Sequence, residues 1–145
     1  MEQFLSPLFL QRAREAQSLR ETNALTTRYG LSLSEQDITA LLEKRRNALS
    51  ETGRVEFGKG ILEKLIFAFC DSPYLFQETY VETLLSLQDA FYYFKNESLD
   101  TLTDDELIAY MKEHFDGDCE GSAEYLAGTL LDDLCRDIRA DYEEE

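Results

Sequence analysis

The chain has 145 residues, 43% of them hydrophobic and 12% aromatic, which is enough for one domain with its own core and excludes a disordered polymer. Its net charge of −16 is unevenly divided, because residues 1–70 hold ten Lys or Arg and nine Asp or Glu, whereas residues 71–145 hold four and twenty-one. The acidic second half would repel phosphate backbones and anionic lipid surfaces, so neither nucleic acid nor a membrane is expected as a partner.

Residues that typically begin and end helices occur at regular intervals along the chain. A Ser-Pro pair, or a Ser or Thr followed three residues later by an acid, commonly opens a helix. These signals predict helix starts at Ser6, Ser34, Ser72 and Thr103, and Ser122 is expected to open the last helix. Glycine adopts the left-handed backbone that ends helices, so the first two helices are predicted to end at Gly30 and Gly53.

A further helix is predicted at residues 61–70, which are apolar on most faces and are expected to form the buried centre. Apolar spacing also marks the buried face of the longest helix, which is predicted to run from Ser72 to about Asn96. That face comprises Phe76, Tyr80, Leu84, Leu87, Phe91 and Phe94. The last helix has a similar stripe at Ala123, Leu126, Ala127, Leu130, Leu134 and Ile138.

The predicted fold is therefore all-α. Residues 1–145 are expected to form a single domain, with a bundle-like or orthogonal packing of about six helices around residues 61–70. Residues 141–145 are expected to be a frayed acidic tail, since three acids at a helix C-terminus oppose the helix dipole.

Cysteine content and hydropathy suggest a cytoplasmic chain. The three cysteines, Cys70, Cys119 and Cys135, cannot all pair with one another, and no CxxC motif occurs. The first residues lack a basic segment before an apolar run, and no stretch reaches the roughly 18 apolar residues that a membrane span needs.

Residues 53–60 fit the G-x-x-x-x-G-K pattern of phosphate-binding loops. Such a loop follows a strand and carries Ser or Thr after its Lys, whereas here a helix precedes it and Gly60 takes that place. We therefore expect a connecting loop with no nucleotide.

The acidic loop between the last two predicted helices resembles a calcium-binding loop. Its candidate ligands are Asp116, Asp118, Glu120 and Glu124. The twelfth position, where calcium loops carry a bidentate Glu, is Ala127. A degenerate calcium site is thus an alternative hypothesis, while the main expectation is a loop without metal.

No residue pattern indicates catalysis. The chain has one histidine, His114, and its carboxylates are too numerous for any pair to stand out. We expect no catalytic residue and no cofactor. The alternative is a small enzyme or ligand-binding domain with a pocket near Glu56, Cys70, Asp71 and Tyr74.

Four successive aromatic residues, 91–94, point in all directions around a helix, so at least one must leave the core face. Tyr93 is the expected one, and Tyr92, Tyr93 and Phe94 are candidate interaction residues because exposed aromatics anchor protein interfaces. The leading hypothesis is a non-enzymatic module that binds a protein partner, or a second copy of itself, through these aromatics and the acidic half.

Arg45, on the apolar stripe of its helix, is expected to be buried beside a carboxylate.

Five stretches resemble a family of small bacterial proteins known only as a domain of unknown function. They are RYGL at 28–31, ETGRVEFG at 51–58, FCDSPY at 69–74, FYYFKNE at 91–97 and EYLA at 124–127. The resemblance covers nearly the whole chain. It implies a bacterial, cytoplasmic origin and carries no activity, ligand or catalytic residue.

Overall fold

The structure is a computed structural model that describes residues 7–54, 56 and 60–144, without the side chains of Leu8, Glu143 and Glu144. These residues form helices and turns and include no strand, which confirms the all-α prediction. The first five helices are α1 (Pro7–Thr26), α2 (Glu35–Thr52), α3 (Ile61–Phe69), α4 (Tyr80–Glu97) and α5 (Asp104–Asp116). A last helical stretch combines α6 (Ala123–Tyr125), a π-helical segment (Leu126–Leu131) and α7 (Asp132–Glu144).

Local capping explains where α2 and α5 begin, as predicted. The Ser34 hydroxyl accepts a hydrogen bond from the Asp37 N–H at 3.1 Å, and the Ser34 N–H donates to the Asp37 carboxylate at 3.0 Å. Thr103 and Glu106 make the same reciprocal pair at the start of α5. Each pair satisfies backbone donors that the first turn of a helix leaves free. Ser6, the predicted first cap, lies outside the described residues.

The helix α3 lies at the centre, as its composition predicted. It packs against α1, α4 and α5. Four of its side chains are fully buried: Leu62, Leu65, Ile66 and Phe69. Each such burial contributes roughly 1.5–3 kcal/mol of hydrophobic stabilisation. Phe69 also meets Phe115 of α5 edge to face, with ring centroids 5.2 Å apart.

The predicted start of α4 at Ser72 is wrong. The helix begins at Tyr80, after a 3-10 turn at Gln77–Thr79. Ser72 instead lies in a turn, where its hydroxyl donates to Asp116 at 2.6 Å and accepts from the Tyr74 N–H at 3.2 Å. Phe76, predicted to lie on the buried face, precedes the helix and is more than half exposed.

The last helix departs from the predicted continuous α-helix. A π-helical turn takes one residue more than an α-helical turn, so it shifts the buried face by one position. The fully buried residues are therefore Leu126, Leu131 and Cys135, whereas the predicted Leu130 and Leu134 are only partly buried. The helix also includes residues 141–144, which were expected to belong to a frayed tail.

The arrangement of α1, α2 and α4 positions the candidate site. The ion pairs of Arg20 with Glu35 and of Glu15 with Arg45 show that α1 and α2 run antiparallel. The helix α4 packs against α2 on one side and against α6 and α7 on the other. None of the helices in the described part of the chain combines the length and apolar composition needed to cross a membrane.

Candidate functional site

The outward face of α4 carries a stripe of polar and aromatic residues. Ser86, Asp89, Tyr93 and Glu97 follow one another at steps of three, four and four residues, so they share one face of the helix. All four point away from the buried stripe, and Tyr93 is 57% exposed. The expectation that Tyr93 leaves the core is confirmed.

This stripe forms the floor of an open groove, the α4 groove, of about 950 Å³. One wall is the end of α2, and the opposite wall is the beginning of the last helix. The wall residues are Ala48, Glu51 and Thr52 on one side and Ala123, Glu124, Ala127 and Gly128 on the other. Because α4 packs between these two helices, the groove follows its length.

The charge of the α4 groove is negative. Glu51, Asp89, Glu97 and Glu124 line it, and no lysine or arginine does so among the described residues. Lys44 pairs with Asp89, and Arg139 with Glu97, each at 2.8 Å from outside the groove. Glu51 and Glu124 form no ion pair with any residue that the structure describes. They lie on opposite walls, so an occupant would meet an uncompensated carboxylate on each side.

Small side chains line much of the α4 groove. Ala48, Ala90, Ala123, Ala127 and Gly128 line it without projecting beyond a methyl group. Small residues of this kind let a second helix approach closely. Tyr93 is the large exposed side chain among the lining residues, and its ring packs edge to face on Phe94 at 4.8 Å.

The three candidate interaction residues differ in exposure. Tyr92 and Phe94 also line the groove, but they are only 2% and 6% exposed and belong mainly to the core. Tyr93 alone of the three predicted residues offers an accessible aromatic surface.

Beneath the groove lies a buried ionic cluster centred on Arg45, which is 4% exposed. Its guanidinium meets Glu56 at 2.9 Å and Glu15 at 3.4 Å. Burial opposes the charge of Arg45, yet the two carboxylates outweigh that effect and raise its pKa. The predicted buried pairing of Arg45 is confirmed.

Tyr92 and Ile61 complete the coordination of Glu56. The Tyr92 hydroxyl donates to one carboxylate oxygen, and the Ile61 N–H donates to the other at 3.4 Å. Burial, followed by the hydrogen bond to the Glu56 carboxylate, raises the pKa of Tyr92 and keeps it a donor. This cluster joins α1, α2, α3 and α4, so its role in the structure is to fix the four helices together.

Of the four residues of the alternative pocket, Glu56 lies at the opposite end of α3 from the other three. Glu56 bonds the first turn of α3, whereas Cys70 caps the other end of that helix. Asp71 pairs with Lys112 at 3.0 Å, and Tyr74 packs at Gly121. Burial, with a smaller contribution from Asp71, raises the pKa of the Cys70 thiol, which disfavours the reactive thiolate.

The acidic loop uses its first acid for structural contacts. Asp116 accepts from Ser72 and pairs with Lys112 at 2.7 Å. Asp118 lies 3.6 Å from His114, and no three acidic, cysteine or histidine side chains in 7–54, 56 and 60–144 come together as a metal site. The four candidate ligands therefore do not converge.

Sequence reasoning missed the acids that line the groove, Glu51, Asp89, Glu97 and Glu124. One signal was present, because Asp89 and Glu97 flank Tyr93 at helical spacing of four residues. The two wall residues come from distant parts of the chain, and no local pattern connects them to α4.

Comparison with known proteins gives one match. A family of unknown function, DUF6323, matches residues 18–144. No curated protein and no solved structure matches the chain.

Proposed function

We propose that this chain, which belongs to the DUF6323 family of unknown function, is a non-enzymatic protein-binding module whose α4 groove receives a positively charged helical segment. The observation that carries the proposal is the pair of uncompensated carboxylates, Glu51 and Glu124, on opposite sides of the exposed Tyr93. A site of this kind selects for cations at both edges of an occupant and for apolar surface between them.

The shape of the groove supports a helical occupant. Its alanines and Gly128 allow backbone approach, and its open length runs along α4. An amphipathic helix that lies in a groove presents one apolar face to the floor and places charged side chains along both walls. Tyr93 then serves as the aromatic anchor, since partly buried tyrosines are frequent centres of binding energy.

The proposed setting is the cytoplasm of a bacterial cell. All three cysteines are buried and free. Burial raises the pKa of Cys135 to about 11, so the thiol stays protonated at neutral pH. Buried protonated thiols of this type suit a reducing compartment.

The proposal is tested with a labelled amphipathic helical peptide that has leucines on one face and lysines at both edges of that face. Its binding to the full chain is followed by fluorescence anisotropy. We expect binding that weakens as salt rises, and none by the same peptide with glutamate for lysine. Glu51→Lys combined with Glu124→Lys, and separately Tyr93→Ala, should each weaken binding by at least about tenfold.

Two matched variants serve as controls. Glu43→Lys changes an exposed acid of the same helix as Glu51 but outside the α4 groove, and Tyr125→Ala removes a half-exposed tyrosine that does not line it. Both should bind like the original chain. Equal binding of the lysine and glutamate peptides, or full affinity in the Glu51 and Glu124 variant, would refute the proposal.

A further inference from the structure

The helix α2, which forms one wall of the α4 groove, runs parallel to the floor. The Gln88 side chain of α4 donates to the Leu41 carbonyl of α2 at 3.3 Å. Arg54, just beyond the end of α2, donates from Nε to the Asn96 side chain at 2.9 Å. Because the residue numbers rise together in these two contacts, α2 and α4 point in the same direction.

The last helix, which forms the other wall, is also parallel to α4. The Cys135 thiol donates to the Phe94 carbonyl at 3.6 Å, and Arg139 pairs with Glu97 at 2.8 Å. The short helix α6, at the start of this helical stretch, packs against α4 as well. Only a parallel course brings the start of the last helix beside α4 while Arg139 reaches the last residue of α4.

These contacts place Glu51 and Glu124 at different heights along the groove. Glu51 is three residues before Arg54, so it lies near the level of Tyr93. Glu124 is eleven residues before the thiol that contacts α4, so it lies near Ser86, where the groove begins. The two heights differ by about seven to ten residues of α4, or roughly 10–15 Å at the helical rise of 1.5 Å per residue.

Glu51 and Glu124 are the carboxylates that an occupant can pair with most readily. The two acids of the floor, Asp89 and Glu97, are each held at 2.8 Å by a cation from outside the groove. Glu51 and Glu124 are exposed, and neither has an ion-pair partner within the described part of the chain. The groove therefore offers one open carboxylate on each wall, and the line between them crosses the floor diagonally.

A helix matches this diagonal when its cations have a particular spacing. Nine positions turn a helix by about 900°, which is two and a half turns, and advance it by about 13.5 Å, so the two side chains lie on opposite edges. Two positions also place side chains on nearly opposite edges, but only about 3 Å apart along the axis. Seven positions give about 10.5 Å, but both side chains then lie on the same edge.

We infer that the helix received by the α4 groove carries two cations nine positions apart, on opposite edges of an apolar face, an inference that rests on the proposed function of the groove. One cation pairs with Glu51 and the other with Glu124, while the apolar face lies on Tyr93 and the small residues around it. The groove thus recognises the pattern of charge in its partner, because two cations at another spacing can reach only one of the two carboxylates.

Three peptides of identical composition test the inference on the full chain by fluorescence anisotropy. Each has the same leucine face and two lysines, placed nine, seven or two positions apart. Each is stapled on the side away from the leucines, so that all three are equally helical. We expect the nine-position peptide to bind about three- to fivefold more tightly than either isomer, because it forms one more exposed ion pair.

Single substitutions show which carboxylates cause the preference. Glu51→Gln and, separately, Glu124→Gln leave one open carboxylate, so each variant should bind the three peptides equally. The control is Glu43→Gln, which removes an exposed acid of α2 outside the groove and should retain the preference for the nine-position peptide. Circular dichroism checks that each variant is folded.

The possible outcomes separate this inference from the proposed function. Equal binding of the three peptides by the unmodified chain, or a preference that survives both glutamine substitutions, overturns the nine-position spacing. The groove would then keep its proposed function as a site for cationic helices in general. If none of the three peptides binds, the proposed function fails together with this inference.

Discussion

Arg45 shows how one charged residue connects four helices in the core. Its guanidinium bonds Glu15 and Glu56, and Tyr92 holds the second oxygen of Glu56. A buried ion pair adds little net stability compared with an apolar contact, but removal of one partner leaves the other charge buried and uncompensated.

Arg45→Ala should therefore lower the free energy of unfolding by about 3–5 kcal/mol, measured by urea denaturation. The matched control is Arg46→Ala, which removes the neighbouring arginine on the same helix. Arg46 is more exposed and meets Glu15 only at 3.5 Å, so its loss should cost less than about 1 kcal/mol. Equal losses for the two variants would contradict a special role of the buried cluster.

Tyr80 gives a prediction for alkaline pH. It is almost fully buried, and burial raises its pKa to about 12 from the ordinary value near 10. Below pH 10 the Tyr80 hydroxyl is protonated in both the folded and the unfolded chain, so its full contribution to the free energy of unfolding is present. As pH rises from 10 to 12 the unfolded chain ionises first, and roughly 3 kcal/mol of stability is lost.

The measurement is helicity by circular dichroism together with tyrosinate absorbance across this pH range. Tyr80→Phe, which keeps the ring and removes the ionisable group, should shift the alkaline unfolding midpoint to higher pH. Unfolding at the same pH in both proteins would show that Tyr80 does not contribute to the transition.

At the level of helices, sequence predicted the elements whose signals are local. The reciprocal caps of α2 and α5 connect residues three positions apart, so sequence alone identified them. Ser72 was misread because its hydroxyl bonds Asp116, a residue 44 positions away, and stabilises a turn. The π-helical segment was missed for a similar reason, since its extra residue is accommodated by the packing of Leu126 and Leu131 in the core.

The π-helical segment leads to an unusual prediction. Deletion of Gly128, an exposed residue within it, should convert the π turn to an α turn. Leu126 and Leu131 would then be four positions apart along the shortened chain, and both would remain on the buried face. We expect a folded protein whose unfolding free energy is unchanged or raised by up to about 1 kcal/mol, since a helical glycine is also removed.

Deletion of Ser86, an exposed residue of α4, is the control. No π turn is present there, so the rest of α4 would rotate by about 100° and take Leu87 and Phe91 out of the core. This variant should fail to fold, as followed by thermal melting. Comparable destabilisation by both deletions would show that the π turn does not accommodate an extra residue.

For the whole molecule, the dominant electrostatic fact is the concentration of acids in residues 71–145. Repulsion among them opposes folding. Raising NaCl from about 0.01 M to about 1 M shortens the screening distance from about 30 Å to about 3 Å, so the melting temperature should rise. A variant with Glu113→Gln, Glu120→Gln and Asp137→Asn, three exposed acids, should melt higher at low salt and respond less to added salt. A melting temperature that falls with salt would contradict this explanation.

The α4 groove also belongs to this scale, which is why sequence could not reveal it. Its floor comes from residues 86–97, and its walls come from 48–52 and 123–128. Only the exposure of Tyr93 followed from the order of residues along one helix. The placement of Glu51 opposite Glu124 depends on how three helices pack, and that packing is set by core contacts remote from the groove.

The contacts of Glu15 with Arg45 and Arg46 tie α1 to α2 at the point where the exposed first turns of α1 end. Loss of that carboxylate would loosen the attachment of α1 and leave Arg45 with Glu56 as its remaining carboxylate partner among the described residues. Local opening of α1 would then become easier than unfolding of the whole molecule.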